Sequence, residues 1–176
     1  MLNWFKKKKV EEVEIKNSIV QAQVGDVVDY YMKSWEVKEE GEYDWGNNEF
    51  STELKLDAGD EIIYLTIDED DETELSVSKP AKWNEVEGDL RSHLLQYNEP
   101  PRELISGGIR YKLSENGIGR HRSITKDTNW SSFEFWDFED ETEDKLITVE
   151  SWGGEFELFK GEYVETFEFS IFGRES

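Results

Sequence analysis

Between Asn129 and Lys160 the chain reads NWSSFEFWDFEDETEDKLITVESWGGEFELFK, a run whose periodicity fits three consecutive β-strands and no helix. Phe133 and Phe135 project to one side, Trp136 and Phe138 to the other. The aromatic face therefore switches mid-strand, as at a bulge or where both faces are covered. Asp140 to Asp144 interrupts the apolar pattern, Leu146 to Glu150 resumes it, and Gly153-Gly154 supplies the two positive-φ positions of a tight hairpin. Phe156 and Leu158 then alternate with Glu155 and Glu157. A weaker copy lies in the first half, at Glu53 to Leu56, Ile62 to Ile67 and Thr73 to Val77, with YLTID at Tyr64 to Asp68 matching LITVE at Leu146 to Glu150. Internal duplication and the ordinary likeness of alternating strands both fit this echo.

The rest of the chain is read around that meander. With 176 residues it suits one domain or two intimately packed halves. Seven Trp, seven Tyr and ten Phe against two Met indicate a core of rings and β-branched side chains. The division expected is an N-terminal lead over 1–16, a first β half over 17–80, a linker over 81–108 and a second β half over 109–176. Glu11 to Val24 is compatible with a short helix or a strand, and Val27 to Met32 with Trp35 to Lys38 predicts a hairpin around Lys33-Ser34. EEGEYDWGNN, from Glu39 to Asn48, reads as a loop carrying Tyr43 and Trp45. Leu90, Leu94 and Tyr97, behind Asp89 as cap and ahead of Pro100-Pro101, give the one stretch of helical spacing. Glu115 to Gly117 reads as a turn, and Thr166 to Phe172 as a last strand with Phe167, Phe169 and Ile171 facing in.

The net charge of −22, with pI near 4.4, constrains function most. A field of that sign repels phosphate backbones, so ordinary nucleic-acid binding is excluded, and basic proteins, polyamines or divalent cations are the natural counter-charges. Solubility alone also accounts for such a surface. Zero Cys excludes disulfides, thiol catalysis and thiolate metal sites, and fits a reducing compartment. No apolar run reaches the ~18 residues of a spanning helix, and no signal peptide is visible. Those features set the expected location as cytoplasmic, with peripheral contact at the inner membrane face as the one membrane role. That contact falls to Trp4 and Phe5 beside Lys6, Lys7, Lys8 and Lys9, read either as a weak anchor or as a frayed end.

His93 and His121 lie far apart and each reads as a surface or satisfied residue; no Ser has a nucleophile elbow. Neither GGI at Gly107 nor GIG at Gly117 has phosphate-loop spacing. The turns DEDDETE and EDETED offer Asp68, Asp70, Asp71, Asp140 and Asp144 as oxygen ligands, so calcium is the one metal these turns suit, although an EF-hand spacing is lacking. Glu134, Glu150 and Glu157 would serve a paired-carboxylate hydrolase, but outward alternation explains them as well. Trp152, before Gly153-Gly154, either stands bare at the hairpin or folds back over the core; bare, it would join Tyr43 and Trp45 in a partner-binding patch.

VGDVV at Val24 to Val28, FEFWDFED at Phe133 to Asp140 and ITVESWGGEFELFKGEYV at Ile147 to Val164 together resemble the bacterial domain-of-unknown-function family numbered 4178, over roughly Val24 to Phe172. These are strand and turn positions, so the resemblance implies a β-domain and no mechanism. It also implies genomic company with phage-shock-type membrane-stress proteins or polyamine-synthase-like enzymes.

The expected fold is thus all-β: two similar antiparallel sheets, whether from an internal duplication or from the ordinary likeness of alternating strands, packed as a sandwich or a partly open barrel, with a short helix at most in the linker. The expected role is a non-catalytic acidic adaptor without cofactor, displaying its charge outside to a partner with a basic surface. The alternatives are cation or polyamine capture by the acidic turns, and mimicry of nucleic acid.

Overall fold

A computed structural model describes residues 18–172, and the N-terminal Trp4, Phe5 and Lys6 to Lys9 lie outside them. Alternation of β-branched and aromatic residues with polar ones yields eleven strands: β1 (Val27–Tyr30), β2 (Lys33–Gly46), β3 (Glu49–Asp57), β4 (Ile62–Glu69), β5 (Thr73–Pro80), β6 (Glu103–Ser106), β7 (Ile109–Ser123), β8 (Ser131–Asp140), β9 (Lys145–Trp152), β10 (Glu155–Val164) and β11 (Ser170–Phe172). The protein is all-β and antiparallel. The two expected sheets are continuous, in the order β11-β1-β2-β3-β4-β5-β10-β9-β8-β7-β6, and β2 also pairs with β7. That extra pairing bends β2-β3-β4-β5-β10-β9-β8-β7 into a ring, the partly open barrel of the sequence reading.

The two halves occupy equivalent places in the ring. β1 to β5 and β6 to β10 follow one path and meet twice, at β5–β10 and at β2–β7. Each half opens with a two-residue hairpin whose central residues both have positive φ, Tyr31-Met32 in one and Gly107-Gly108 in the other. Each long strand then carries an extra residue that shifts its register, Lys38 in β2 and Ser114 in β7. The sequence separation between the two turns equals that between the two bulges, which a duplicated five-strand unit explains.

These bulges decide which way the strands look. Before them, Trp35 and Val37, and likewise Tyr111 and Leu113, pack outward into two apolar cores. Beyond them a one-residue slip turns the odd-numbered positions inward, so Tyr43, Trp45, Glu115 and His121 reach the barrel interior. The first core joins Leu54, Leu65 and Leu75 to β1 and Phe169. The second joins Phe138, Ile147 and Leu158 to Leu90 and Leu94 of the helix α1 (Leu90–Tyr97), which Asp89 caps by accepting from the Ser92 amide. Apolar side chains therefore cover the outside of the ring, and its interior holds polar side chains together with a third, aromatic cluster.

Four local expectations are corrected. The first hairpin turns at Tyr31-Met32, not Lys33-Ser34, because Trp35 Nε1 donates to the Tyr30 carbonyl (2.9 Å) and fixes the register. The run from Glu39 to Gly46 is strand rather than loop, since β2 has a partner on each side. Glu115 to Gly117 continues β7, where Gly117 and Gly119 leave room for Phe135 and Phe133 directly across the ladder. Thr166–Glu168 closes into a 3-10 turn, with the Glu168 carboxylate accepting from the Glu165 amide, so Phe167 faces out and β11 starts only at Ser170.

Candidate functional site

The ring surrounds a cavity of about 370 Å³. Strand alternation puts Glu49, Ser51 and Glu53 of β3, Tyr64, Thr66 and Asp68 of β4, and Glu74, Ser76 and Ser78 of β5 on one wall. Phe135 and Asp137 of β8, Leu146, Thr148, Glu150 and Trp152 of β9, and Glu157, Phe159 and Tyr163 of β10 line the other. Eight carboxylates face this space and, among the described residues, no lysine or arginine does. His121 is its sole basic side chain.

At one end Tyr43, Trp45, Phe133, Phe135 and Trp152 form an aromatic cage. Tyr43 stacks on Trp45 at 4.9 Å between ring centroids, and Phe133 on Trp152 at 4.5 Å. Tyr43 Oη donates to Glu53 (2.5 Å), Trp45 Nε1 to Ser51 Oγ (2.8 Å) and Trp152 Nε1 to Glu150 (2.9 Å). His121 lies over Gly41, with Nε2 3.2 Å from Glu53 but outside hydrogen-bonding angle; a Cβ on Gly41 would fall 2.5 Å from that nitrogen.

Carboxylates crowded in a low-dielectric space resist ionisation. Burial, then the charges of Glu53, Glu157 and Asp137, pushes Glu150 up to about 7 against the hydrogen bond from Trp152. Burial pushes Asp137 up to about 6, opposed by the 2.6 Å bond it accepts from Thr148 and aided by Glu115 and Glu139. Glu157 and Glu74 are raised as well, burial first in each. Burial holds the Tyr43 hydroxyl far above its ordinary value. The arrangement can hold protons or receive a cation that replaces them.

The residues expected to form an outer patch are here instead. Tyr43 is buried, and Trp45 and Trp152 are half-buried, all three lining the lumen, because the β2 bulge rotates the first two inward and Trp152 folds back onto Phe133. Glu150 and Glu157 also point inward, so outward alternation does not account for them, whereas Glu134 is exposed. The turn acids do not converge. Asp140 accepts from Thr142 Oγ1 and from the amides of Asp144 and Lys145, which lowers its pKa and commits it to closing its own hairpin. Asp68 accepts from the Asp70 amide and faces the lumen, while Asp70, Asp71 and Asp144 are exposed. No three potential ligands gather for a metal among the described residues. Sequence reasoning missed His121, Glu53 and Asp137. The signal available for His121 was the GIG pair preceding it, glycines that a strand keeps only where something must come close.

The seam that closes the ring is short. β2 and β7 pair over four residues, Gly41 to Asp44 against Ser123 to Arg120, and side chains outside the lumen reinforce them. Arg120 bonds Asp44, Arg122 bonds Glu42 (2.6 Å), and Lys126 bonds Glu39 (2.5 Å). Both guanidiniums stand over the Trp130 ring, at 5.0 and 4.5 Å.

Residues 23–166 match the family model described as Domain of unknown function (DUF4178). A curated relative from Aquifex aeolicus (strain VF5), described as an uncharacterized protein, is 24% identical over 161 residues, covering 91% of this chain and 87% of the relative. No solved structure matches. No helix among the described residues is long and apolar enough to cross a membrane.

Proposed function

This chain belongs to the family of the domain of unknown function DUF4178, and from the geometry of its lumen we propose that it is a non-catalytic receptor for a small organic cation, a linear di- or polyamine. One observation carries the reading: eight carboxylates line the cavity with no lysine or arginine among the described residues to neutralise them. The acids form a linked series: Glu53, Glu157 and Asp137 act on Glu150, Glu115 acts on Asp137, and Asp68 and Glu115 act on Glu74, with Glu49 the eighth in the lining. A succession of anionic positions interspersed with Ser, Thr and Tyr suits a ligand that carries several ammonium groups separated by methylenes. Trp45 and Trp152 add ring faces that attract a cation by about 1 kcal/mol or more once desolvated.

This reading keeps the polyamine alternative drawn from charge but moves its site from the turns to the lumen. It also accounts for Tyr43, Trp45 and Trp152, the anchors of the adaptor reading, without an outside partner. Mimicry of nucleic acid needs acids ordered along an outer face, whereas the eight that the ring gathers face inward.

Calorimetry and thermal melts with spermidine, against calcium at equal ionic strength, test the proposal. Expected are saturable binding with proton release near pH 7, quenching of Trp fluorescence, and a melting temperature raised by spermidine more than by calcium. Absence of heat and of a melting shift at millimolar spermidine overturns it.

A further inference from the structure

The three most exposed large apolar side chains of the described residues are Met32 (103%), Phe167 (83%) and Tyr31 (81%); Tyr31 and Met32 form the β1–β2 hairpin tip and Phe167 sits in the 3-10 turn Thr166–Glu168. The turn is at the same end of β1: Phe169, two residues on, stacks on Tyr30 at 4.6 Å, and Tyr30 touches Tyr31 at 6.1 Å. None of the three rings or thioether stems is needed by either core, whose buried members near this point are Tyr30, Trp35 and Phe169.

The backbone at this tip works against its own sequence. Tyr31 and Met32 have φ of 48° and 63°, the mirror-image turn that favours Asn-Gly and in which the second half of the same molecule uses Gly107-Gly108. A tyrosine and a methionine held left-handed and bare cost stability and add nothing to packing, a combination that points to function outside the fold. Beside the tip lies a groove of about 540 Å³, with Tyr30, Trp35, Ile63 and Val77 in its lining.

The surrounding charge selects the occupant. Glu162 and Glu168 both act on the Tyr30 hydroxyl, and Asp60 and Glu61 hold Lys33 at 3.0 Å each. Lys79 lies 3.5 Å from Glu61, and Lys160 donates to Ser106. Lys33 and Lys79 are thus paired with acids and Lys160 keeps its charge but directs it to Ser106, so Asp60, Glu61, Glu162 and Glu168 outnumber the three lysines by one, and Glu162 and Glu168 make no ion pair with a lysine or arginine among the described residues. Anionic lipid headgroups would meet these carboxylates, and a second copy would bring another −22 charge. A basic chain with an apolar anchor meets neither obstacle.

We infer that the Tyr31-Met32 tip, Phe167 and the adjoining groove form a docking surface for a basic, amphipathic segment of a partner protein, distinct from the lumen. Apolar anchors at the centre and carboxylates at the rim are the arrangement of a protein contact with a few dominant residues.

The test uses the full chain with methyl-labelled methionine, which gives a signal for Met32 and one for Met1, and a synthetic peptide alternating lysine with leucine, with a lysine–serine peptide as control. The lysine–leucine peptide is expected to shift the Met32 signal and to bind about tenfold more tightly than the control. Tyr31→Asn with Met32→Gly makes the turn Asn-Gly, so the variant is expected to melt no lower than the parent while losing at least about tenfold in peptide affinity, read by fluorescence anisotropy. Glu162→Gln with Glu168→Gln is expected to weaken binding at low salt. Equal affinity of the Asn-Gly variant overturns the inference. So does peptide competition with spermidine for the lumen, or binding to anionic vesicles in preference to the peptide. Failure of spermidine to bind leaves these outcomes unchanged, since no lumen residue is altered.

Discussion

Glu150 and Glu157 stand directly opposite one another across the β9–β10 ladder and both line the lumen, one buried and the other at its solvent-exposed edge. Like charges placed opposite each other destabilise a sheet, and burial amplifies the effect. Glu150→Gln keeps the acceptor for Trp152 Nε1 and removes the charge. The free protein is therefore expected to gain on the order of 2 kcal/mol at pH 8, raising its melting temperature by roughly 5 °C. The same substitution should weaken spermidine at least about tenfold. A destabilised variant with unaltered affinity would refute the assignment of Glu150 as a ligand-facing charge.

The direction of the lumen's pH dependence follows from raised carboxyls. Glu150 binds a proton more tightly folded than unfolded, so its contribution is fully present below its ordinary value of 4.5 and is lost as pH rises through about 7. Asp137 behaves likewise between 3.8 and about 6. Asp140 and Glu39 have lowered values, so their contributions are present above the ordinary carboxylate range and disappear on acidification. The ligand-free protein is thus expected to melt highest on the acid side of neutrality and to lose stability from about pH 5 to pH 8. Saturating spermidine should flatten that decline. Melting curves at constant ionic strength decide it, and a stability that rises steadily to pH 8 contradicts the buried, unneutralised lumen.

The body of the fold was legible because its strands obey period two and its best turn is Gly-Gly. Phe133 and Phe135 against Trp136 and Phe138 were compatible with a bulge or with two covered faces, and the second holds: they occupy the lumen cage and the second core respectively. What was hidden is the inversion of inside and outside. Alternation states that Glu150 and Val149 face opposite ways but not which side is apolar core, and the assumption that carboxylates face solvent assigned Glu150 and Glu157 to the surface. The bulges at Lys38 and Ser114 were equally invisible, since an extra residue in a strand leaves no compositional mark. They decide whether Tyr43 and His121 lie inside or out.

Gly161 supports the join between the two halves. It pairs with Ser78 in the β5–β10 seam, and a Cβ there would stand 2.4 Å from the Val77 carbonyl oxygen, a backbone atom that cannot move alone. Gly161→Ala is expected to cost about 2 kcal/mol or more by forcing the strands apart, lowering the melting temperature by roughly 5 °C. Gly117→Ala, whose nearest neighbours at 3.3 Å and 3.4 Å are side-chain atoms of Phe135, should cost less. Parallel melts of the two variants check the order, and equal losses would mean that the seam yields without strain.

Salt sets two effects against each other, and their sizes decide the sign. The β2–β7 seam relies on partly exposed pairs of Arg120, Arg122 and Lys126 with Asp44, Glu42 and Glu39, each contributing little and weakening as salt rises. Against them, a −22 chain repels itself throughout and most strongly where carboxylates share the lumen. Repulsion is the larger sum, so raising sodium chloride from low concentration to about 0.5 M is expected to raise the melting temperature, the screening length falling to roughly 4 Å. At matched ionic strength spermidine should raise it further, because a ligand seated between Glu53, Glu150 and Glu157 acts by contact and not by screening alone. In Glu150→Gln with Glu157→Gln that excess should vanish while the sodium chloride effect persists. A spermidine effect equal to that of sodium chloride in the parent protein would reduce the lumen to an ordinary counter-ion atmosphere.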